Sequence, residues 1–126
     1  MQHKKGYRKL GRDTAHRISM LNNMVSDMIL YGGITTTTVK AKTLRPYLER
    51  VITKIKNNSE SLAVVREFNA ILRSEQIVKK AFSFVKSSLS GRKGGYTRIT
   101  KLCHRKSDGS SMAKIEFVDF VNGQAE

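Results

Sequence analysis

Up to about residue 85 the apolar residues of this chain recur at helical spacing, and beyond Gly94 they alternate with polar ones. That change of period calls for a largely helical first part and strands at the end, which makes an α/β domain of the α+β kind. Ile18, Leu21, Val25, Met28 and Ile29 lie on one face of a first helix. Asp13 or Thr14 opens it, because either side chain accepts a bond from an amide of the first turn. Gly32-Gly33 closes it, since glycine takes the left-handed conformation that ends helices without steric cost. Ile34 to Thr38 is β-branched throughout and reads as a short strand. A second helix carries Ala41, Leu44, Leu48, Val51, Ile52 and Ile55 on one face, and Pro46 predicts a kink or a helix that starts close to it. Asn57-Asn58-Ser59 breaks the chain, with Ser59 as the cap of a short helix to about Leu72. Ser74 opens another helix, with Ile77, Val78, Ala81, Phe82 and Val85 at its spacing. Tyr96 to Leu102 and Met112 to Phe120 alternate, and Ser107-Asp108-Gly109-Ser110 has turn chemistry. These two runs predict a hairpin joined by a short basic loop, with Ile115 and Phe117 on one side and Lys114 and Glu116 on the other.

Charge decides the class of partner. Among 126 residues there are 24 Lys+Arg against 10 Asp+Glu, a net +14. Repulsion at that density costs stability unless a polyanion neutralises it, so nucleic acid is the leading partner and an anionic membrane surface the second. Residues 1–12 concentrate the charge, with Lys4, Lys5, Arg8, Lys9 and Arg12 preceding any acid. They read as a basic arm that orders only against a partner. Residues 13–120 read as the single folded domain, and residues 121–126 as a short flexible tail. No apolar run approaches a membrane span, and no apolar segment follows the basic start as in a secretory signal. The lone Cys103 can form no internal disulfide and no Cys-rich zinc site.

The motifs in order are HKKGYRKLGR at the start, His16-Arg17, Ile34-Thr35-Thr36-Thr37, Ala41-Lys42 with Leu44-Arg45, Gly94-Gly95-Tyr96-Thr97-Arg98-Ile99, and Met112-Ala113-Lys114-Ile115-Glu116. Together they resemble the family of ribosomal protein seventeen of the bacterial large subunit, from Met1 to about Phe120. The resemblance implies a small mixed three-stranded sheet with helices packed on one face. It also implies a structural, non-enzymatic protein of the cytoplasmic ribosome that binds 23S rRNA near the peptide exit tunnel. Neighbouring large-subunit proteins would be further partners, with no cofactor and no small-molecule substrate. Because the likeness begins at Met1, no transit peptide is expected. The chain departs from the family pattern at Asn22, where many members have an arginine, at Gly32-Gly33, and at Ser107.

Three groups of residues are candidates for RNA contact. The first is the arm and its junction: His3, Lys4, Lys5, Tyr7, Arg8, Lys9, Arg12, His16 and Arg17. Ammonium and guanidinium groups neutralise phosphates and release condensed counterions, Gly6 and Gly11 let backbone approach RNA, and Tyr7 can stack on a base. The second is the basic side of the second helix, Lys40, Lys42, Arg45 and Lys54; by spacing alone it is more often the ordinary polar face of an amphipathic helix. The third comprises Arg92, Lys93, Tyr96, Arg98, Lys101 and Arg105, with a tyrosine at position 96 more often a core or rim residue than a base-stacking one.

Other chemistries fare worse. His3, His16 and His104 lack an orienting carboxylate at a telling spacing, so a ribonuclease is a poor reading, and His16 suits helix capping. Cys103 and His104, adjacent on a strand, point to opposite faces and share no ion, which leaves Cys103 as a small buried or rim hydrophobe. Gly91 to Gly95 lacks the order of a nucleotide-binding loop. The alternative carried forward is a DNA-binding protein of the nucleoid type, which the same charge would serve.

Overall fold

The computed structural model describes residues 8–59 and 61–118. In chain order it consists of α1 (Thr14–Tyr31), β1 (Gly33–Thr37), α2 (Thr38–Asn57), α3 (Leu62–Leu72), α4 (Glu75–Ser88), β2 (Thr97–Lys101) and β3 (Met112–Phe117). Local chemistry accounts for most boundaries. Asp13 caps α1 by accepting from the His16 amide at 2.9 Å, and Gly32 ends it at φ 79 with its amide donating to the Met28 carbonyl. The Lys80 ammonium of α4 donates to the Leu30 carbonyl at 2.9 Å, supplying the positive charge that the last turn of α1 lacks. Thr37 caps α2 and Ser61 caps α3, each through its side-chain oxygen.

The sheet has the order β1-β3-β2 and is antiparallel throughout. The α+β class expected from the sequence is present, but the sheet is not mixed. β1 and β2 run in the same direction, and β3 lies between them in the opposite sense, so no parallel pair forms. Ile115 of β3 pairs with Ile34 on one side and Ile99 on the other. Ala113, Ile115 and Phe117 are buried against the helices, whereas Lys114 and Glu116 face outward, as the alternation predicted. Leu44, Leu48 and Ile52 of α2, Met28 and Ile29 of α1, and Phe82 of α4 complete a single core. Phe68 meets Phe82 edge-on at 5.8 Å between ring centres.

Four local expectations are corrected. Helix α2 does not start near Pro46: it runs through that residue, because the Thr37 cap and the buried Ala41 and Leu44 nucleate it earlier. Pro46 is tolerated on an exposed side, where only one helical bond is lost. Ser61 rather than Ser59 caps α3, since its hydroxyl is the one within reach of the Val64 amide, at 3.4 Å. The hairpin loop from Leu102 to Ser111 is a folded excursion rather than a short link. It is held by Arg105 donating to Ser110 and Gly109 to Arg105 along the backbone, and by the Arg105–Asp108 ion pair at 2.7 Å. Strand β2 ends at Lys101, so Cys103 sits in that loop and is exposed.

Candidate nucleic-acid interface

Residues 8–12 form a tight turn at the foot of α1. The Arg12 amide donates to the Lys9 carbonyl at 3.1 Å, and Leu10 and Gly11 both have positive φ, 57 and 67, as in the primed turns that glycine favours. This turn brings Arg8 across a groove between α1 and α2, a hollow of about 270 Å³. Arg17 lines it from α1, and Lys42 and Arg50 from α2. Residues 42, 46 and 50 are spaced four apart and so stack along one side of their helix. Three separate stretches of chain thus converge four cations on one concavity, and no acid is among the described residues that line it.

The floor is neutral. Leu21, Pro46 and the ring of Tyr47 form its apolar part, and Thr43 adds a hydroxyl. The Tyr47 hydroxyl donates to the side-chain oxygen of Asn22, a residue only 8% exposed, and so ties α2 to α1. Burial of the phenol raises its pKa above the ordinary 10.0, so at neutral pH it remains a donor. Asn22, which departs from the resembled family, here serves a helix–helix bond rather than a surface contact.

Elsewhere the basic candidates are partly neutralised. Arg45 lies 3.8 Å from Glu49, and Lys54 lies 3.7 Å from Glu67. On the outer face of the sheet, Arg98 is 59% exposed but hydrogen-bonds Glu116 at 2.9 Å, and Lys114 lies 3.4 Å from the other oxygen of the same carboxylate. The Arg98 bond is the main reason that the Glu116 pKa falls below its usual value. Arg105 likewise holds the Asp108 carboxyl far below the normal range, which makes their loop a local ion pair rather than a free cation.

Tyr96 is corrected outright. It is 1% exposed and packs in the core, with the Lys56 ammonium 6.0 Å from its ring centre, so it presents no face to a base. Burial follows from its place at the entry to β2, where its carbonyl accepts from the Val118 amide and its ring joins the core cluster. Arg92, Lys93 and Lys101 are exposed around the two ends of β2. Lys9 and His16 are exposed near the groove, and Lys40 is half-buried in the first turn of α2. His16 contributes only its amide to helix capping, and Asp13 supplies the cap. His3, Lys4, Lys5 and Tyr7 lie outside the described residues. Of the groove lining, Arg50 and Tyr47, with Leu21, Thr43 and Pro46, were not among the sequence candidates. The recurrence of Lys42, Pro46 and Arg50 every fourth position was the signal available for the first.

Among the described residues no three His, Cys, Asp or Glu side chains cluster as a metal site, and no helix is long and apolar enough to cross a membrane. Fold and groove together define a class: small basic α+β domains whose surface chemistry is cationic and hydrogen-bonding. Residues 20–118 match the family model for ribosomal protein L17. The chain is 47% identical to large ribosomal subunit protein bL17 of Fusobacterium nucleatum, over 94% of its own length and 100% of that relative. It is 42% identical to bL17 of Nautilia profundicola over 94% of this chain and 98% of the relative, and 39% identical to bL17 of Chlorobaculum parvum over 99% and 80%. The chain therefore belongs to the ribosomal protein L17 family. It is a structural protein of the large ribosomal subunit rather than an enzyme, and its place is the ribosome of the bacterial cytoplasm.

Proposed function

We propose that the protein binds and organises 23S rRNA near the peptide exit tunnel by neutralising phosphates and reading backbone shape, with adjacent large-subunit proteins as further partners. The convergence of Arg8, Arg17, Lys42 and Arg50 on one groove, with no described acid among them, carries this reading. A net charge of +14 supports it, because each phosphate contact releases counterions. The deep, narrow major groove of A-form RNA hides its bases, so recognition rests on phosphates and on the 2′-hydroxyls of the minor groove. Lys9, Arg12, His16 and Lys40 extend the basic surface around the groove, and His3, Lys4, Lys5 and Tyr7, outside the described residues, are further candidates for the same RNA contact. Arg92, Lys93 and Lys101 make a second contact region at the ends of β2. Arg45, Lys54, Arg98 and Arg105 contribute after exchanging their carboxylate partners for phosphate.

Sedimentation of a lysate through a high-salt gradient tests the assignment, followed by chemical footprinting of 23S rRNA in subunits with and without the protein. Constant stoichiometry in the large subunit, with protections clustered around the tunnel exit, is the expected result. Release by salt into light fractions or onto DNA would overturn it in favour of a nucleoid-type DNA binder.

A further inference from the structure

We propose that the groove between α1 and α2 receives one unpaired nucleotide of the bound RNA, rather than only the phosphates of a continuous helix. The inference rests on the rRNA reading above and adds the kind of RNA element that this site selects. Three features of the groove separate the two cases. First, it is a concavity of about 270 Å³, and a duplex backbone lying across a convex basic surface needs no such hollow. Pockets for drug-sized molecules run to about 300–1,000 Å³, so this one suits a single nucleotide. Second, its floor is apolar and aromatic. The Tyr47 ring is held in place by the bond from its hydroxyl to Asn22, and Leu21 and Pro46 flank it. Splayed-out RNA bases stack on such rings and on guanidinium planes, whereas phosphates gain nothing from them.

Third, the groove offers acceptors as well as cations. Pro46 has no N–H, so the Lys42 carbonyl lacks the partner that an α-helix normally supplies, on the side of α2 where residues 42 and 46 line the groove. The Thr43 hydroxyl also lines it, although it donates to the Val39 carbonyl at 2.9 Å and keeps only its lone pairs for a ligand. A phosphate has no proton to give such acceptors at neutral pH; a base amino group or a 2′-hydroxyl has. Cations at the rim for phosphate, an aromatic floor for a base and acceptors for its N–H or O–H donors together match a whole nucleotide.

The test uses the full-length protein and two RNA hairpins that differ only in one bulged adenosine. Binding is titrated at several salt concentrations. The bulged hairpin is expected to bind about ten-fold more tightly, the scale of one base–aromatic stack. Lys42→Gln with Arg50→Gln, both exposed and so not needed for folding, is expected to abolish that preference. Lys79→Gln with Lys106→Gln removes the same charge elsewhere and should keep it. Equal affinity for the two hairpins, or loss of preference in both variants alike, overturns the inference. If the protein still sediments with large subunits in high salt, the rRNA reading survives that result. If it sediments with none and binds neither hairpin, both readings fall together.

Discussion

Replacing Tyr47 by phenylalanine removes one oxygen and strands the side-chain carbonyl of Asn22 without its donor, in a residue only 8% exposed. An unsatisfied buried acceptor costs about 1–3 kcal/mol. Tyr47 is half-buried at the groove, so water regains part of the bond, and the expected loss is the lower half of that range, about 1–2 kcal/mol. For a domain of this size each kcal/mol moves Tm by about 4 °C. Urea unfolding followed by far-UV circular dichroism should show a lower midpoint at unchanged slope. Asn22→Leu alone should cost a similar amount. The double variant should lose less than the sum of the two, because removing both partners leaves no stranded polar group. The pH dependence has a definite sign. Folding raises the phenol pKa, so above about pH 10 the unfolded chain ionises first and stability falls as pH rises. In Tyr47→Phe that share of the alkaline decline should vanish. A Phe variant as stable as the parent, or strictly additive losses in the cycle, would refute the buried-bond argument.

Ile115→Ala empties the centre of the sheet between Ile34 and Ile99, in a fully buried position, and should cost about 2–5 kcal/mol by thermal unfolding. Arg73 ends α3 at φ 60, a conformation that glycine takes without steric cost, so Arg73→Gly should raise stability by up to about 1 kcal/mol despite losing a bond to Ser19. The Arg98 bond depresses the folded pKa of Glu116 below its usual 4.5, so the pair stabilises fully above that pH and its contribution disappears as pH falls through the folded value. That contribution is at most about 1 kcal/mol because the pair is solvent-exposed. NMR titration of Arg98→Gln should find the Glu116 midpoint moved up toward 4.5, and an unmoved midpoint would contradict the assigned cause.

The helices were legible because their causes are local. Apolar residues at helical spacing, a cap at Asp13 or Thr14 and Gly32 mark α1 without reference to the rest of the chain, and Ser74 marks the start of α4 by position although its side chain makes no capping bond. The alternation of β3 likewise announced which side would be buried. Boundaries failed where two local signals competed: Ser59 and Ser61 are equally good caps on paper, and only the path of the backbone places the Ser61 hydroxyl beside the Val64 amide. Pro46 argued for a helix start, yet the buried face that continues through Leu44 and Leu48 outweighs one lost bond.

By itself, the order of residues determined the basic character, the α+β class and the family resemblance, because charge, period and short motifs are one-dimensional properties. Tertiary structure alone decided which cations act together. Glu49, Glu67, Glu116 and Asp108 draw Arg45, Lys54, Arg98 and Arg105 into ion pairs, while Arg8 and Arg17 meet Lys42 and Arg50 across a groove. It also placed β3 between β1 and β2, and it put Tyr96 inside and Tyr47 in the lining of the groove. Each of these depends on distances between residues far apart in the chain, and those distances exist only once the core around Leu48 and Ile115 has closed.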